Sequence, residues 1–585
     1  MTPDGLYCDP ADLDWSQPSG PRASAYGDVY FSAEDGLEET RAVFLRGCGL
    51  PEAWAGRRHF VVGELGFGTG LNALALWELW RQTRPVDGWL DFVTVEKHPL
   101  DRDAAARAFA AWPELSDLAA RLLAQWPSRL RGPQRLVFPG DGFAITIFQD
   151  EVEAALSQMT RPVDAWFLDG FAPDRNAAMW SQVVFDRLGE LSAPGARVGT
   201  FTVAGFVRRG LAEAGFQVAK RPGFGRKRER LEAVWPGQAG DIPAGRVDGP
   251  VAVLGAGIAG ASLLHALRGR GVEVVLIDSV GVATGASGAP AGLLTPRLEK
   301  ADRPHVRATL AAFDYARRLY DGRPGFHAEP VCRLPKDQRE AERFALLADW
   351  MPDHLDWTGE ALMMLTAGRF VPQKLVADLI GPTECHPVRI VRSEPLDGGV
   401  GLYDADGRCR FEVGHLVVAA GCGAQDFYPE LQASAGQLAV FDGRPPERPA
   451  AWGHYACAAP GGVLVGATHE RGDQVGPEDE AEAGFRASVA DHLPGLALGA
   501  VRERWQGVRG TTPDRLPVVG DLAGQTSILA GLGSRGFAHA PLLAEDLASE
   551  LTGGVAALAS TARDALAPGR FAERRLRRAG QSPAR

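Results

Sequence analysis

Short, unbroken apolar runs that stop at a cluster of glycines and give way to helical spacing recur in two places along the chain. The first is His59-Phe-Val-Val-Gly-Glu-Leu65, followed by Gly66-Phe-Gly-Thr-Gly70 and then Leu71-Asn-Ala-Leu-Ala-Leu-Trp-Glu-Leu-Trp80. The second is Val251-Ala-Val-Leu254, followed by Gly255-Ala-Gly-Ile-Ala-Gly260 and then Ala261-Ser-Leu-Leu-His-Ala-Leu267. A run apolar on both faces predicts a strand buried inside a parallel sheet, and an apolar stripe at helical spacing predicts the crossover helix that covers it. Both halves therefore read as α/β. Further strands are predicted at Val93-Thr-Val-Glu96, Ala165-Trp-Phe-Leu168, Val272–Asp278 and, with a following turn, Leu416–Ala424.

Between Pro236 and Pro250 the pattern lapses, and seven of fifteen residues are Pro or Gly. That composition predicts a linker. At 585 residues the chain exceeds the roughly 250–300 at which single cores stop growing, so more than one domain is required. The predicted division is residues 1–238, a linker at 239–249, and residues 250–585.

Glycine makes up 71 of the 585 residues, above the usual ~7%, which directs attention to turns and backbone–ligand approach. The formal net charge is −11, from 62 Lys+Arg against 73 Asp+Glu, which speaks against a basic coat but not against a local basic strip. The seven cysteines include no CxxC pair, so neither a zinc site nor a disulfide framework is predicted, and no metal is expected. An acidic N-terminus, MTPDGLYCDPADLD, and the absence of a long apolar stretch predict a soluble, cytoplasmic protein with no membrane partner.

In the second half, Gly255, Gly257 and Gly260 form G-x-G-x-x-G between a strand and a helix, where bare backbone admits a pyrophosphate to the helix N-terminus. Asp278 ends the next strand eighteen residues after Gly260, placed for ribose hydroxyls. The glycines alone do not separate NAD from FAD. The run Gly285-Ala-Ser287-Gly288 through Arg297, the strand and turn at Leu416–Ala424, and the loop from Gly531 together resemble the D-amino-acid-oxidase or glycine-oxidase superfamily. That resemblance implies FAD, an associated mixed-sheet substrate domain, and a terminal loop of Gly533, Ser534, Arg535 and Gly536 closing over the flavin. It implies that Arg509, in Gly507-Val-Arg-Gly510, grips a substrate carboxylate, and that Tyr455 faces the substrate.

In the first half the glycines Gly66, Gly68 and Gly70 are spaced G-x-G-x-G after Glu64, and Glu96 ends the following strand. This resembles Rossmann-like S-adenosylmethionine methyltransferases. The resemblance implies a loop close to the donor's amino-acid moiety, Glu96 on its ribose, and a third-strand acid near the adenine at Asp141. Asp169, in Phe167-Leu-Asp-Gly-Phe-Ala-Pro173, falls where open α/β sheets bind ligands, and a carboxylate there suits an amine acceptor that must present a neutral lone pair. A carboxylate that only caps the following turn is the structural alternative.

The two modules in this order, with Gly36-Leu-Glu-Glu-Thr40 and Gly223-Phe-Gly-Arg-Lys-Arg-Glu229, resemble the family of bifunctional tRNA wobble-uridine modifying enzymes. The resemblance implies that the flavin half removes the carboxymethyl arm of 5-carboxymethylaminomethyl-2-thiouridine and that the other half methylates the freed amine. It also implies tRNA, through its anticodon stem-loop, as the partner. Phosphate contact is expected from Lys220–Arg230, which contains Arg226, Lys227 and Arg228, or from the C-terminal FAERRLRRAG. Three alternatives stay open at this point: the same chemistries on a small glycine-like metabolite, an RNA-binding first half without catalysis, and a nicotinamide-dependent second half.

Overall fold

The computed structural model describes residues 5–16, 21–30, 36–225, 227–237, 247–299 and 301–578. They fall into two units. One takes in Asp4–Arg246 with Ser549–Ser560, and the other Val247–Ala548 with Thr561–Arg585. The division is therefore not purely linear, since a short stretch near the C-terminus folds into the first unit. Its Val555 amide donates to Asp91 Oδ2 at 3.1 Å, and Ser549 Oγ accepts from Arg135 at 3.3 Å. Most of the predicted linker lies outside the described residues.

The first unit is built on an eight-stranded sheet: β1 His59–Leu65, β2 Trp89–Glu96, β3 Gly132–Phe138, β4 Phe143–Gln149, β5 Val163–Leu168, β6 Ser192–Thr200, β7 Gln217–Pro222 and β8 Glu229–Val234. The spatial order is β7-β8-β6-β5-β1-β2-β4-β3. The five central strands run parallel, while β3 and the β7–β8 hairpin are antiparallel edges. Every residue of β1 after His59 is buried, as the continuous apolar run requires of a strand covered on both faces. Helix α1, Leu71–Thr83, follows the Gly66–Gly70 loop and sends Trp77 and Trp80 into the core. The chain leaves β1 for β2 on one side and returns through β5 on the other. The carboxyl ends of β1 and β5 thus flank the switch point at which such sheets bind ligands.

The second unit holds a six-stranded sheet of β9 Val251–Leu254, β10 Val274–Ile277, β11 Cys385–His386, β12 His415–Val418, β13 Val518–Ala523 and β14 Thr526–Ala530, in the order β11-β10-β9-β12-β14-β13. All neighbours are parallel except the β13–β14 pair. Helix α2, Ile258–Arg268, starts at the carboxyl end of β9, and helix α3, Gly536–Leu551, follows β14 after the turn Gly533–Arg535. A nine-stranded mixed sheet carries Gln432–Phe441, Tyr455–Ala459 and Val501–Thr511. Nucleotide-type sheet and mixed sheet are the two parts that a D-amino-acid-oxidase fold comprises.

Candidate functional sites

A cavity of about 360 Å³ opens at the switch point of the first unit. Gly66, Gly68, Glu96 and Asp169 line it, and Gly70 is the N-cap of α1 just behind. Gly66 has φ +98°, and a Cβ there would lie 2.8 Å from the Asp169 carbonyl oxygen, so the loop and the Asp169 turn approach only because no side chain intervenes. Glu96 accepts from the Gly68 amide at 2.8 Å and from the His98 amide at 2.8 Å. Burial nevertheless pushes its carboxyl up to about 7. A bare loop facing an acid at the end of the next strand fits a donor with an amino-acid part and a ribose diol, so the residues present fit S-adenosylmethionine.

Glu64, expected with the Gly66–Gly70 loop among the donor-binding residues, does not line this cavity. It is fully buried beneath it, and burial lifts its carboxyl well above the ordinary range. Thr94 Oγ1 donates to Glu64 Oε2 at 2.6 Å and Asn72 Nδ2 donates to Glu64 Oε1 at 2.8 Å. The same Asn72 nitrogen donates to Asp169 Oδ2 at 2.7 Å. Burial raises Asp169 to about 7, with the Asn72 hydrogen bond opposing the rise. Above this group stands an aromatic wall in which Tyr26 stacks on Phe171 at 4.8 Å and Tyr30 meets Phe171 edge-on at 5.1 Å.

Asp141 is a correction. The run ending in Phe-Pro-Gly-Asp is β3, which is antiparallel, and its turn leads into the amino end of β4. Asp141 therefore sits at the sheet edge opposite the cavity, where it accepts from Trp77 Nε1 at 3.0 Å and pairs with Arg121 at 2.5 Å. It ties α1 to the helix Ser116–Ala124 and does not line the cavity that Gly66, Gly68 and Glu96 share.

In the second unit a cavity of about 630 Å³ is lined by Gly255, Gly257, Asp278, Ser287, Tyr455 and Arg509, together with the loop Gly533–Gly536. Gly255 has φ +117°, and a Cβ there would fall 2.4 Å from the Ala419 carbonyl oxygen. Gly257 caps α2 and Gly260 is buried within it. Ser287 Oγ accepts from the Ile258 amide at 3.0 Å, and Asp278 Oδ2 accepts from the Ala256 amide at 2.8 Å, so both polar groups are set against the glycine turn. Arg535 Nε is shielded from solvent with no hydrogen-bond partner among the described residues. Burial, with Arg333 and Arg297 nearby, lowers Arg535 to about 10. An unmet buried donor beside an open glycine cradle fits a large acceptor-rich group such as FAD.

Arg509, on Val501–Thr511, lies within 3.3 Å of His469 Nδ1, and burial lowers its pKa from the ordinary value. Tyr455 reaches the Ala291 carbonyl at 3.4 Å, and burial raises its hydroxyl. Both side chains share the cavity with the flavin-type loops.

The basic strips look different once folded. Arg226 lies outside the described residues. Lys227 turns to the first-unit cavity, pairs with Glu39 at 2.5 Å and covers the Phe201 ring at 4.2 Å. Arg228 is exposed. Near the C-terminus, Arg574 pairs with Asp514, Arg575 with Glu430 and Arg577 with Glu573, so three of that tail's cations already face acids. Sequence reasoning missed Asn72, Thr40, Tyr26 and Tyr30 in the first cavity and Arg333, Trp452, His469 and Trp505 in the second. Asn72 had a signal: it is the one polar residue in the otherwise apolar first turn of α1.

Among the described residues no helix is long and apolar enough to cross a membrane, and no cluster of His, Cys, Asp or Glu is placed to hold a metal ion. Residues 113–236 match the family model described as S-adenosyl-L-methionine-dependent methyltransferase, and residues 250–550 match that of FAD dependent oxidoreductase. The solved glycine oxidase from Geobacillus kaustophilus is similar over 53% of this chain and 97% of that chain, at 18% identity and a TM-score of 0.46. A curated protein of Maricaulis maris, named tRNA 5-methylaminomethyl-2-thiouridine biosynthesis bifunctional protein MnmC, is 84% identical over 100% of both chains. One of the same name from Caulobacter vibrioides is 43% identical over 93% of this chain and 94% of its own. On full-length identity to these relatives, with one match of each kind in its two halves, the chain belongs to the MnmC family of bifunctional methyltransferase and FAD-dependent oxidoreductase enzymes.

Proposed function

We propose that the chain carries out two successive steps on the wobble uridine of tRNA: removal of the carboxymethyl arm from 5-carboxymethylaminomethyl-2-thiouridine, then methylation of the freed amine to 5-methylaminomethyl-2-thiouridine. What carries the reading is one chain with two separate cavities, one lined by an acid-faced G-x-G-x-G loop and the other by a G-x-G-x-x-G loop with a buried arginine.

Bound FAD supplies the two-electron acceptor for the arm's C–H beside nitrogen. The cradle for it is Gly255, Gly257, Gly260, Asp278, Ser287 and Gly533 to Gly536. Arg509 offers the carboxylate of the arm a planar fork, which fixes the carbon next to it. Tyr455 and Trp505 narrow the space beside it and exclude water. Hydrolysis of the oxidised arm leaves a primary amine on the base and releases the two-carbon acid.

S-adenosylmethionine supplies the methyl group in the first unit, held by Gly66, Gly68, Gly70 and Glu96. Asp169 orients the amine and takes its proton as the nitrogen lone pair attacks. A carboxyl near 7 is suited to this, because it is ionised in part and strong enough as a base at neutral pH. Splayed uracil stacks on the Tyr26–Phe171 wall, in the way single-stranded bases are read. Exposed Arg228 meets a phosphate of the anticodon arm, while Lys227 stays with Glu39.

Nucleoside mass spectrometry of tRNA incubated with the purified protein tests this. Without S-adenosylmethionine the arm is lost and the product stalls at the aminomethyl stage; with it, the methylaminomethyl nucleoside forms. Absence of the stall, or equal turnover of free glycine or sarcosine, refutes the assignment.

A further inference from the structure

We propose that Asn72 is the positioning residue of the methyl-transfer site, its single amide shared between two buried carboxyl groups so as to aim Asp169 at the acceptor amine. This rests on the reading of Asp169 given above.

Asn72 is buried at the start of α1, with 5% of its surface exposed. Both protons of Nδ2 are used, one on Glu64 Oε1 at 2.8 Å and one on Asp169 Oδ2 at 2.7 Å. The amide oxygen is engaged as well, since Thr40 Oγ1 donates to Asn72 Oδ1 at 2.7 Å, so with the carboxylate of Asp169 ionised a turned amide would give up the hydrogen bond that holds it. Glu64 is fixed in turn by Thr94 Oγ1 at 2.6 Å. Four side chains from separate elements therefore hold one Asp169 oxygen in place from beneath and leave the other oxygen for the amine.

The choice of donor has a chemical reason. A guanidinium at this place would favour the ionised carboxylate by one to three pH units or so and weaken it as a base. A neutral amide supplies direction with a far smaller electrostatic pull, and burial is left to keep the proton affinity near that of the reaction medium. Fully satisfied polar networks in low dielectric also hold their members rigidly. That matters where a misplacement of about 1 Å costs roughly a hundredfold in rate.

The test is single-turnover methyl transfer to aminomethyl-bearing tRNA, followed across the neutral pH range for the full chain and for Asn72→Ala, Thr40→Val and Asp169→Asn. S-adenosylmethionine affinity is measured for each by equilibrium binding, which also reports a folded donor site. Removing the amide removes a hydrogen bond that favours the ionised carboxylate, so the acidic limb of the rate profile moves to higher pH. The expected loss is about tenfold or more in Asn72→Ala. Thr40→Val keeps the shape of the side chain, frees the amide to turn, and moves the limb the same way by less. A limb that stays in place in both variants, while Asp169→Asn abolishes transfer, overturns the proposal and leaves Asp169 standing. Donor affinity lost in step with rate at an unmoved limb assigns Asn72 to the donor instead. Unimpaired transfer by Asp169→Asn overturns the reading of Asp169 and the proposal with it.

Discussion

Replacing Asp169 by Asn separates the cost of a buried carboxylate from its use. Burial raises this carboxyl from 3.8 to about 7. At about 1.36 kcal/mol per pH unit, keeping it ionised costs the folded first unit at most about 4 kcal/mol. Solvent at the cavity mouth cuts that to about 2 kcal/mol. The sign follows from proton uptake: between about pH 4 and about pH 7 the native group holds a proton that the unfolded chain has released, so stability falls as pH rises through that window and is level above it. The amide variant has no such titration. Asp169→Asn is therefore as stable as the parent below about pH 4 and about 2 kcal/mol more stable at about pH 8, while methyl transfer falls by roughly a hundredfold or more. Pulse proteolysis in urea at both pH values, read on a peptide spanning β1 and α1, measures the first quantity, and single-turnover methylation the second. A variant no more stable than the parent at the higher pH, or a gap of equal size at both, refutes the assignment of a costly, ionisable Asp169.

Gly255→Ala would drive a methyl group to 2.4 Å from the Ala419 carbonyl oxygen at a φ of +117°, so the purified protein should lose its visible flavin absorbance while the first unit still binds S-adenosylmethionine. Arg509→Lys keeps a charge but not the fork, and the Michaelis constant for carboxymethylaminomethyl-bearing tRNA should rise by about 10- to 100-fold in steady-state oxidation assays. Asp91→Asn strips the carboxylate from Arg135, which it meets at 2.7 Å with both side chains wholly buried. Burial alone would raise Asp91, yet Arg135 and His59 hold it well below the carboxylate range, so thermal unfolding of the first unit should show a loss of about 3–5 kcal/mol.

The parts of the fold legible in the sequence are those in which the local pattern leaves one solution. The runs His59–Leu65 and Val251–Leu254 are buried on both faces, and a glycine loop between such a strand and a helix has few other uses. Pairings between distant residues are not written locally. Lys227 meets Glu39 and Arg575 meets Glu430, 188 and 145 residues away, so two strips that read as open cationic surface are partly neutralised. Ser549–Ser560 likewise carries no mark in its own residues that it completes the first unit, since what holds it are Asp91 and Arg135 from the opposite end of the chain.

Asp141 and Asp169 show where the pattern stops discriminating. Each follows an apolar run and precedes a glycine, in Phe-Pro-Gly-Asp-Gly and Phe-Leu-Asp-Gly. Strand direction separates them: β5 runs parallel to β1 and delivers Asp169 to the carboxyl edge, whereas the β3–β4 turn delivers Asp141 to the other. Their partners then follow from position. Asp141 lies between helices and is met by Arg121, Arg81 and an indole N–H, a set that makes a carboxylate a strut. Asp169 is met by a neutral amide in a cavity, a set that leaves its proton affinity free to be used. An acid engaged by two guanidinium groups would have to break both pairings to accept a proton, at a cost that a base turning over with every methyl transfer does not bear. The identity of the partner, more than the acid's place in a motif, therefore separates a carboxylate locked in ion pairs from one left open to a proton, and in the proposed reading of this site it is the Asn72 amide that makes the difference.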